Sequence, residues 1–136
     1  MTTYVLDASA VIRWLDNEPG ADRIHAIFSD CDAKRASICV SAVQWGEIAG
    51  NIRKRYGPAR EAEVIGGELP EDTHVVPADA DQAVRAARLK VDRGISYADA
   101  FALDLAMKSP GHILVTADYG FKAVDNLARI EFLPLK

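Results

Sequence analysis

Two aspartates occupy the same kind of place in this chain. Tyr4-Val5-Leu6 runs into Asp7, and His112-Ile113-Leu114-Val115-Thr116-Ala117 runs into Asp118. Each acid follows a short apolar run of strand character and precedes a helical stretch. Ligands of open α/β sheets bind outside the carboxyl ends of the strands, so parallel strands would turn both acids toward one crevice. Taken singly, either aspartate is sufficiently explained as an N-cap accepting backbone N–H bonds. The repetition of the pattern is what points to a site. A third acid, Asp99, lies in Ser96-Tyr97-Ala98-Asp99, a capping-box pattern. On a helix it also shares a face with Ala102, Leu103 and Ala106, and that small apolar face predicts burial. A buried carboxylate needs a charge partner or a metal. Asp104 faces away, beside Ala100 and Lys108. It is expected to form an exposed i,i+4 pair with Lys108 and to take no part in the site.

Glu47 is the fourth candidate. The apolar arc of its helix holds Ala42, Trp45, Ile48, Ala49 and Ile52, and Glu47 lies opposite, near Val43, Gln44, Asn51 and Lys54. Periodicity alone reads this as a solvated face. The helix begins where a strand ends, however, so its first turns lie near the crevice. Gly46 and Gly50, poor helix formers, predict close packing on that helix. Four carboxylates in one crevice repel at neutral pH, so either some stay protonated or cations hold them together. An all-oxygen set suits Mg²⁺ or Mn²⁺ and not zinc. Such ions activate water and stabilise charge on a phosphoryl group, which points to phosphodiester hydrolysis.

The elements that must position these residues alternate short apolar runs with longer helical stretches, predicting an α/β fold with a mostly parallel sheet. Strands are expected at Thr3–Leu6, Ala36–Val40, Thr73–Pro77, His112–Thr116 and Ile130–Leu133. Helices are expected at Ser9–Leu15, Gly20–Phe28, from Ser41 to about Tyr56, and from about Ala59 to the weak point at Gly66-Gly67. Others are expected at Asp79–Arg93, Ser96–Lys108 and, briefly, Asp118–Val124. Ser41 followed by Gln44 reads as a capping box, and Gly57-Pro58 as the stop.

A length of 136 residues predicts one domain, residues 1–136, with room for a sizeable core. Apolar residues make up 49% and charged residues 26%, which excludes disordered, collagenous and disulfide-built classes. Cys31 and Cys39 form no CxxC pair and read as buried thiols in a reducing cytosol. His25, His74 and His112 are scattered, against a Cys/His zinc site. No apolar run reaches the ~18 residues of a membrane span, and Met1–Asp7 lacks the basic region of a signal peptide. The net charge of −4 disfavours nucleic-acid binding over the whole surface. If four carboxylates gathered on a metal, the remaining 16 acids would balance the 16 bases. Arg53-Lys54-Arg55 with Arg60, and Arg85, Arg88, Lys90 and Arg93, are two basic groups. They read as solvated helix ends or as phosphate tracks. Trp14, Leu15 and Ile24 read as a core stripe or as a surface for a partner helix, and Tyr119 and Phe121 as local packing. No G-x-G-x-x-G follows the first strand, against a dinucleotide fold, and no G-x-S-x-G is present, against a serine hydrolase.

Four segments together resemble PIN-domain proteins, and more narrowly VapC-type toxins of bacterial or archaeal toxin–antitoxin pairs. They are Val5-Leu6-Asp7-Ala8-Ser9-Ala10, Ser41-Ala42-Val43-Gln44-Trp45-Gly46-Glu47-Ile48, Ser96-Tyr97-Ala98-Asp99-Ala100-Phe101-Ala102 and Leu114-Val115-Thr116-Ala117-Asp118. The resemblance implies a three-layer α/β/α sandwich whose mostly parallel sheet has four to five strands. It implies that Asp7 and Asp99 are the most direct metal ligands and that Asp118 completes the metal site. Glu47 would be a ligand or the general base that orients the attacking water, with Ser9 and Thr116 in support. The implied activity is that of a Mg²⁺-dependent endoribonuclease, leaving a 5′-phosphate and a 3′-hydroxyl. A cytoplasmic homodimer is expected, inhibited by a cognate antitoxin that covers the crevice. Two other readings carry distinct expectations. A non-catalytic PIN-fold binding module would hold metal yet cut no RNA. A phosphatase with Asp7 as covalent nucleophile would carry D-x-D, where this chain has Asp7-Ala8-Ser9.

Overall fold

The computed structural model describes all 136 residues, Met1–Lys136. Five strands, β1 (Thr2–Leu6), β2 (Ala36–Ser41), β3 (His74–Val76), β4 (His112–Thr116) and β5 (Arg129–Phe132), form one sheet in the order β3-β2-β1-β4-β5. Every neighbouring pair is parallel, so the sheet is wholly parallel. Six α-helices connect and cover it: α1 (Ala8–Leu15), α2 (Ala21–Asp32), α3 (Ala42–Tyr56), α4 (Pro58–Glu63), α5 (Ala80–Arg93) and α6 (Tyr97–Ala106). A π-helical stretch, Val64–Glu68, follows α4, and a 3-10 segment, Tyr119–Val124, follows β4.

The central strands bury both faces, as parallel strands under helices must. Tyr4, Leu6, Ile38, Val40 and Val115 pack with Val11, Ile24, Ile27 and Ile48 on one side. Val5, Cys39 and Leu114 pack with Ala86, Phe101 and Leu105 on the other. The result is the expected three-layer sandwich. Helix α2 runs a turn beyond the expected Phe28 because Cys31 continues the buried face of Ile24, Ile27 and Phe28. Of the stripe of Trp14, Leu15 and Ile24, Ile24 is fully buried core, while Trp14 and Leu15 are partly buried against it, Trp14 meeting Phe28 edge to face at 5.1 Å. Phe121 is core as well. Both cysteines are free and buried, and burial pushes the Cys39 thiol up to about 11. No helix is long and apolar enough to cross a membrane.

Three local expectations fail, two of them because a neighbouring element outweighs the local pattern. Asp104 is 7% exposed and does not pair with Lys108. Arg85 of α5 reaches across and donates from Nε to Oδ1 at 2.9 Å and from Nη2 to Oδ2 at 3.2 Å. Helix α6 ends at Ala106, so Lys108 is no longer one helical turn above Asp104. Gln44 does not complete a capping box: the Ser41 hydroxyl accepts from the Val43 N–H, and the glutamine side chain is used elsewhere. Gly46 and Gly50 do not mark close packing, since a Cβ at either would meet nothing within 4 Å.

Gly20 is the glycine that the fold requires. Its φ is +99°, and a Cβ there would lie 2.9 Å from the Leu133 Cβ. Beside it, Arg13 Nη1 donates to the Pro19 and Pro134 carbonyls at 2.6 and 2.7 Å, pinning the α1–α2 turn to the segment after β5. Gly20→Ala is expected to lower stability by about 2 kcal/mol in urea unfolding, from left-handed strain plus the clash. Gly50→Ala, on an open helix face, is expected to raise it by about 0.5–1 kcal/mol.

Candidate functional site

From β1 the sheet grows one way through β2 and β3 and the other way through β4 and β5. The reversal lies between β1 and β4, and the crevice of such a sheet opens at the carboxyl ends of those two strands. A cleft of about 470 Å³ opens there, and Asp7, Glu47, Asp99 and Asp118 all line it, with Ser9 and Gln44. The four acids come from four places in the fold: the end of β1, the second turn of α3, the first turn of α6 and the residue ahead of the 3-10 segment.

Asp7 is the inner member, 2% exposed. As N-cap of α1 its Oδ1 accepts from the Ala10 N–H at 3.0 Å, and the Ser9 hydroxyl donates to the same oxygen at 2.8 Å. The Thr116 hydroxyl donates to Oδ2 at 2.6 Å. Ser9 Oγ in turn accepts from the Ala117 N–H at 2.9 Å, and Thr116 Oγ1 from the Asp118 N–H at 2.9 Å. The two supporting hydroxyls therefore join the β1–α1 turn to the end of β4. Three of the four lone-pair directions of the Asp7 carboxylate are taken, which leaves one for a ligand. Asp99 is half-buried and its N–H donates to Ser96 Oγ at 3.1 Å. Asp118 and Glu47 are exposed at the rim, and Asp118 Oδ1 accepts from the Gly120 N–H at 2.8 Å. Three of the four acids thus sit at helical N-termini and line the cleft at once.

The charges of these acids act on one another. Burial pushes the Asp7 carboxyl up to about 6, against the hydrogen bonds from Thr116, Ala10 and Ser9, and the charge of Asp99 adds to the rise. Asp99 also rises to about 6, through burial first, then the charges of Asp118 and Glu47. No base compensates them. Arg13 is held by backbone carbonyls. Arg55 Nη2 pairs with Asp16 and Lys136 Nζ with Glu18, each at 2.5 Å. None of the nine ion pairs includes one of the four acids. An uncompensated set of oxygen donors, with no histidine or cysteine in the lining, fits a hard divalent cation and not zinc. No three of the acids stand ready around a common point. Glu47 is exposed and its carboxylate has no hydrogen-bond or ion-pair partner, whereas Asp118, equally exposed, is held by the Gly120 N–H.

Gln44 is the residue that sequence reasoning placed wrongly. It is 1% exposed and lines the cleft. Its Oε1 accepts from the Ala8 N–H at 2.7 Å, and its Nε2 donates to the Ala98 carbonyl at 2.8 Å. The signal available was its position one helical turn before Glu47. Of the two basic groups, only Arg55 reaches the cleft. Arg53 pairs with Glu61, and Arg60 with Glu63 and Glu68.

The raised carboxyls make a signed prediction for metal-free protein. A carboxyl whose native value exceeds its unfolded value supports the fold in full below the unfolded value of about 3.8 and loses that support as pH rises through about 6. In EDTA at pH 7.5, Asp99→Asn is therefore expected to unfold at a higher urea concentration than wild type, and the difference is expected to vanish by pH 4.

Comparison with known proteins extends these observations. The family model described as PIN domain matches residues 4–127. Among solved structures, a DNA-bound VapBC from Salmonella typhimurium aligns with a TM-score of 0.71 at 21% identity, over 97% of this chain and 98% of that one. VapBC2 from Rickettsia felis, bound to a promoter DNA fragment, aligns with a TM-score of 0.72 at 16% identity, over 98% and 100%. FitAcB from Neisseria gonorrhoeae aligns with a TM-score of 0.67 at 17% identity, over 93% and 95%. No significant match was found among curated protein sequences. At these identities the structural likenesses speak for the fold. The family model spans the stretch that carries all four cleft acids, and the chain belongs to the PIN-domain family.

Proposed function

We propose that this protein is a Mg²⁺-dependent endoribonuclease, the toxin of a toxin–antitoxin pair, acting in the cytoplasm as a homodimer. The observation that carries the reading is the gathering of Asp7, Glu47, Asp99 and Asp118 in one cleft without a basic partner. Membership of the PIN family supports it, and so does likeness to the VapBC structures named above. In this reading Asp7 and Asp99 hold the ion most directly, Asp118 completes the site, and Ser9 and Thr116 keep Asp7 aimed into the cleft. Bound Mg²⁺, or Mn²⁺ in its place, supplies the positive charge that activates water and stabilises the phosphoryl group under attack. Glu47, exposed on the rim, holds the ion or orients the water as base. The water oxygen would bond to phosphorus as the bond from phosphorus to the 3′-oxygen breaks, and the departing 3′-oxygen would take up a proton, leaving a 5′-phosphate and a 3′-hydroxyl. The cognate antitoxin inhibits by covering the cleft.

Purified protein is expected to cut RNA with Mg²⁺ or Mn²⁺ and to stop with EDTA. Asp7→Asn and Asp99→Asn are each expected to lose at least ~100-fold in rate, and Thr116→Val about 10–100-fold, as supporting partners of metal ligands do. Expression of the wild type, but not of Asp7→Asn, is expected to arrest growth. Cleavage that survives EDTA or either Asn variant would overturn the reading, and so would metal binding without cleavage of any RNA pool.

Proton competition sets the expected pH dependence. Asp7 and Asp99 must be ionised to ligate, and both take up a proton below about 6. Calorimetric Mn²⁺ affinity is expected to fall by more than about tenfold between pH 7.5 and pH 5. Affinity independent of pH over that range would remove these two acids from the ligand set.

A further inference from the structure

Two glutamines are buried in helices of this protein, and they are used in opposite ways. Gln82, on α5, is 3% exposed and leaves its Nε2 without a partner. Gln44, on α3, uses both ends of its amide, and the two ends go to different elements. The Ala8 N–H that it accepts belongs to the first residue of α1, directly after Asp7. The Ala98 carbonyl to which it donates lies directly before Asp99. One amide group thus spans the neighbours of two acids that line the same cleft.

No other side-chain hydrogen bond joins these two places. Asp7 is tied to the end of β4, and so toward Asp118, by Ser9 and Thr116. Asp99 is tied to its own helix cap, Ser96. The Ala8 N–H is one of the orphan donors at the start of a helix, and Gln44 is its partner. Bonds to both backbones, made by a side chain almost without solvent contact, hold the first turns of α1 and α6 at a set separation. Gln44 also lies one turn before Glu47 on the same helix, so the strut and the rim acid share a rigid support.

We propose that Gln44 is a positioning residue: its amide sets the gap between Asp7 and Asp99, and with it the size of divalent cation that the cleft accepts. The proposal rests on the reading of the cleft as a metal centre. Mg²⁺ demands near-ideal coordination at about 2.0–2.1 Å, whereas Ca²⁺ accepts flexible shells at about 2.3–2.6 Å. A fixed gap favours the smaller ion. Without the strut, only core packing sets the first turn of α6 relative to that of α1, the gap is held less tightly, and the larger ion loses part of its disadvantage.

The test is calorimetric titration of Mg²⁺ and Ca²⁺ into wild type, Gln44→Met and Gln82→Met, with near-UV circular dichroism and urea unfolding on the same samples. Gln44→Met is expected to weaken Mg²⁺ binding about tenfold, to weaken Ca²⁺ less, and so to narrow the preference between them. Gln82→Met, which removes a buried glutamine away from the cleft, is expected to keep the wild-type preference. Loss of stability alone moves the urea midpoint, not the ratio of the two affinities in folded protein. A folded Gln44→Met with the wild-type ratio overturns the strut and leaves the metal centre standing. Wild type that binds neither ion overturns the metal centre and the strut together. Should Gln44→Met fail to fold, Gln44→Asn decides. Its amide, one methylene shorter, reaches one partner but not both, so it is expected to narrow the preference, and an unchanged ratio overturns the strut.

Discussion

A carboxylate without solvent, held by three donors and facing others of its kind, is the constraint around which this fold is arranged. Raising the Asp7 carboxyl from 3.8 to about 6 corresponds to roughly 3 kcal/mol in favour of its neutral form. Hydrogen bonds to the charged form oppose that rise, and all three come from groups that the chain brings there for other reasons. The Ala10 N–H belongs to the helix that Asp7 caps. Ser9 lies in the first turn of α1 and Thr116 at the end of β4, and the register of β1 on β4, Leu6 against Val115, puts Asp7 and Thr116 side by side. Parallel pairing of β1 with β4 is therefore what makes the inner acid possible.

The same geometry dissolves an apparent choice. Asp7 and Asp118 cap helical segments, and Asp99 stands in the first turn of α6. Because every β-α connection here leaves the carboxyl end of a parallel strand, the starts of α1, α3 and the 3-10 segment cluster there, and α6 also begins beside the cleft. Acids that suit helix N-termini consequently accumulate in one place. Partial positive charge from helix starts eases their company, but the raised values of Asp7 and Asp99 show that it does not offset burial and mutual repulsion. Capping gathers the acids, and no ion pair offsets their charge.

What the sequence made legible follows the range of the forces involved. Strand ends and helix stops are local, so β4 at His112–Thr116 and the Gly94 stop of α5 are found where composition places them. The convergence of Asp7 and Asp118 was legible because parallel topology follows from the alternation of elements. Glu47 was legible only as a direction on a helix: it does lie on the open face, and the cleft happens to be what that face overlooks. Asp104 and Gln44 were misread for one reason. Each has a plausible partner in its own helix, Lys108 or Ser41, and a better one in another element. A helical wheel contains no information about the neighbouring helix, and buried polar groups are decided there.

The acids divide into a held inner member and an exposed rim, and that division has a physical consequence. Asp7 carries the burial penalty and has almost no conformational freedom left to lose on binding. Glu47 and Asp118 are exposed, so solvent screens their charges, and fixing the unpartnered Glu47 side chain in one position would cost side-chain entropy. A cleft in which every acid was buried would bear the full repulsion before any ion arrived, and much of the stability of a 136-residue chain would be spent on it. A cleft in which every acid was exposed would have no fixed point from which to discriminate among ions. One buried carboxylate, one half-buried partner and two exposed acids at the rim lie between these extremes. The helices supply the rigidity, and solvent supplies the tolerance.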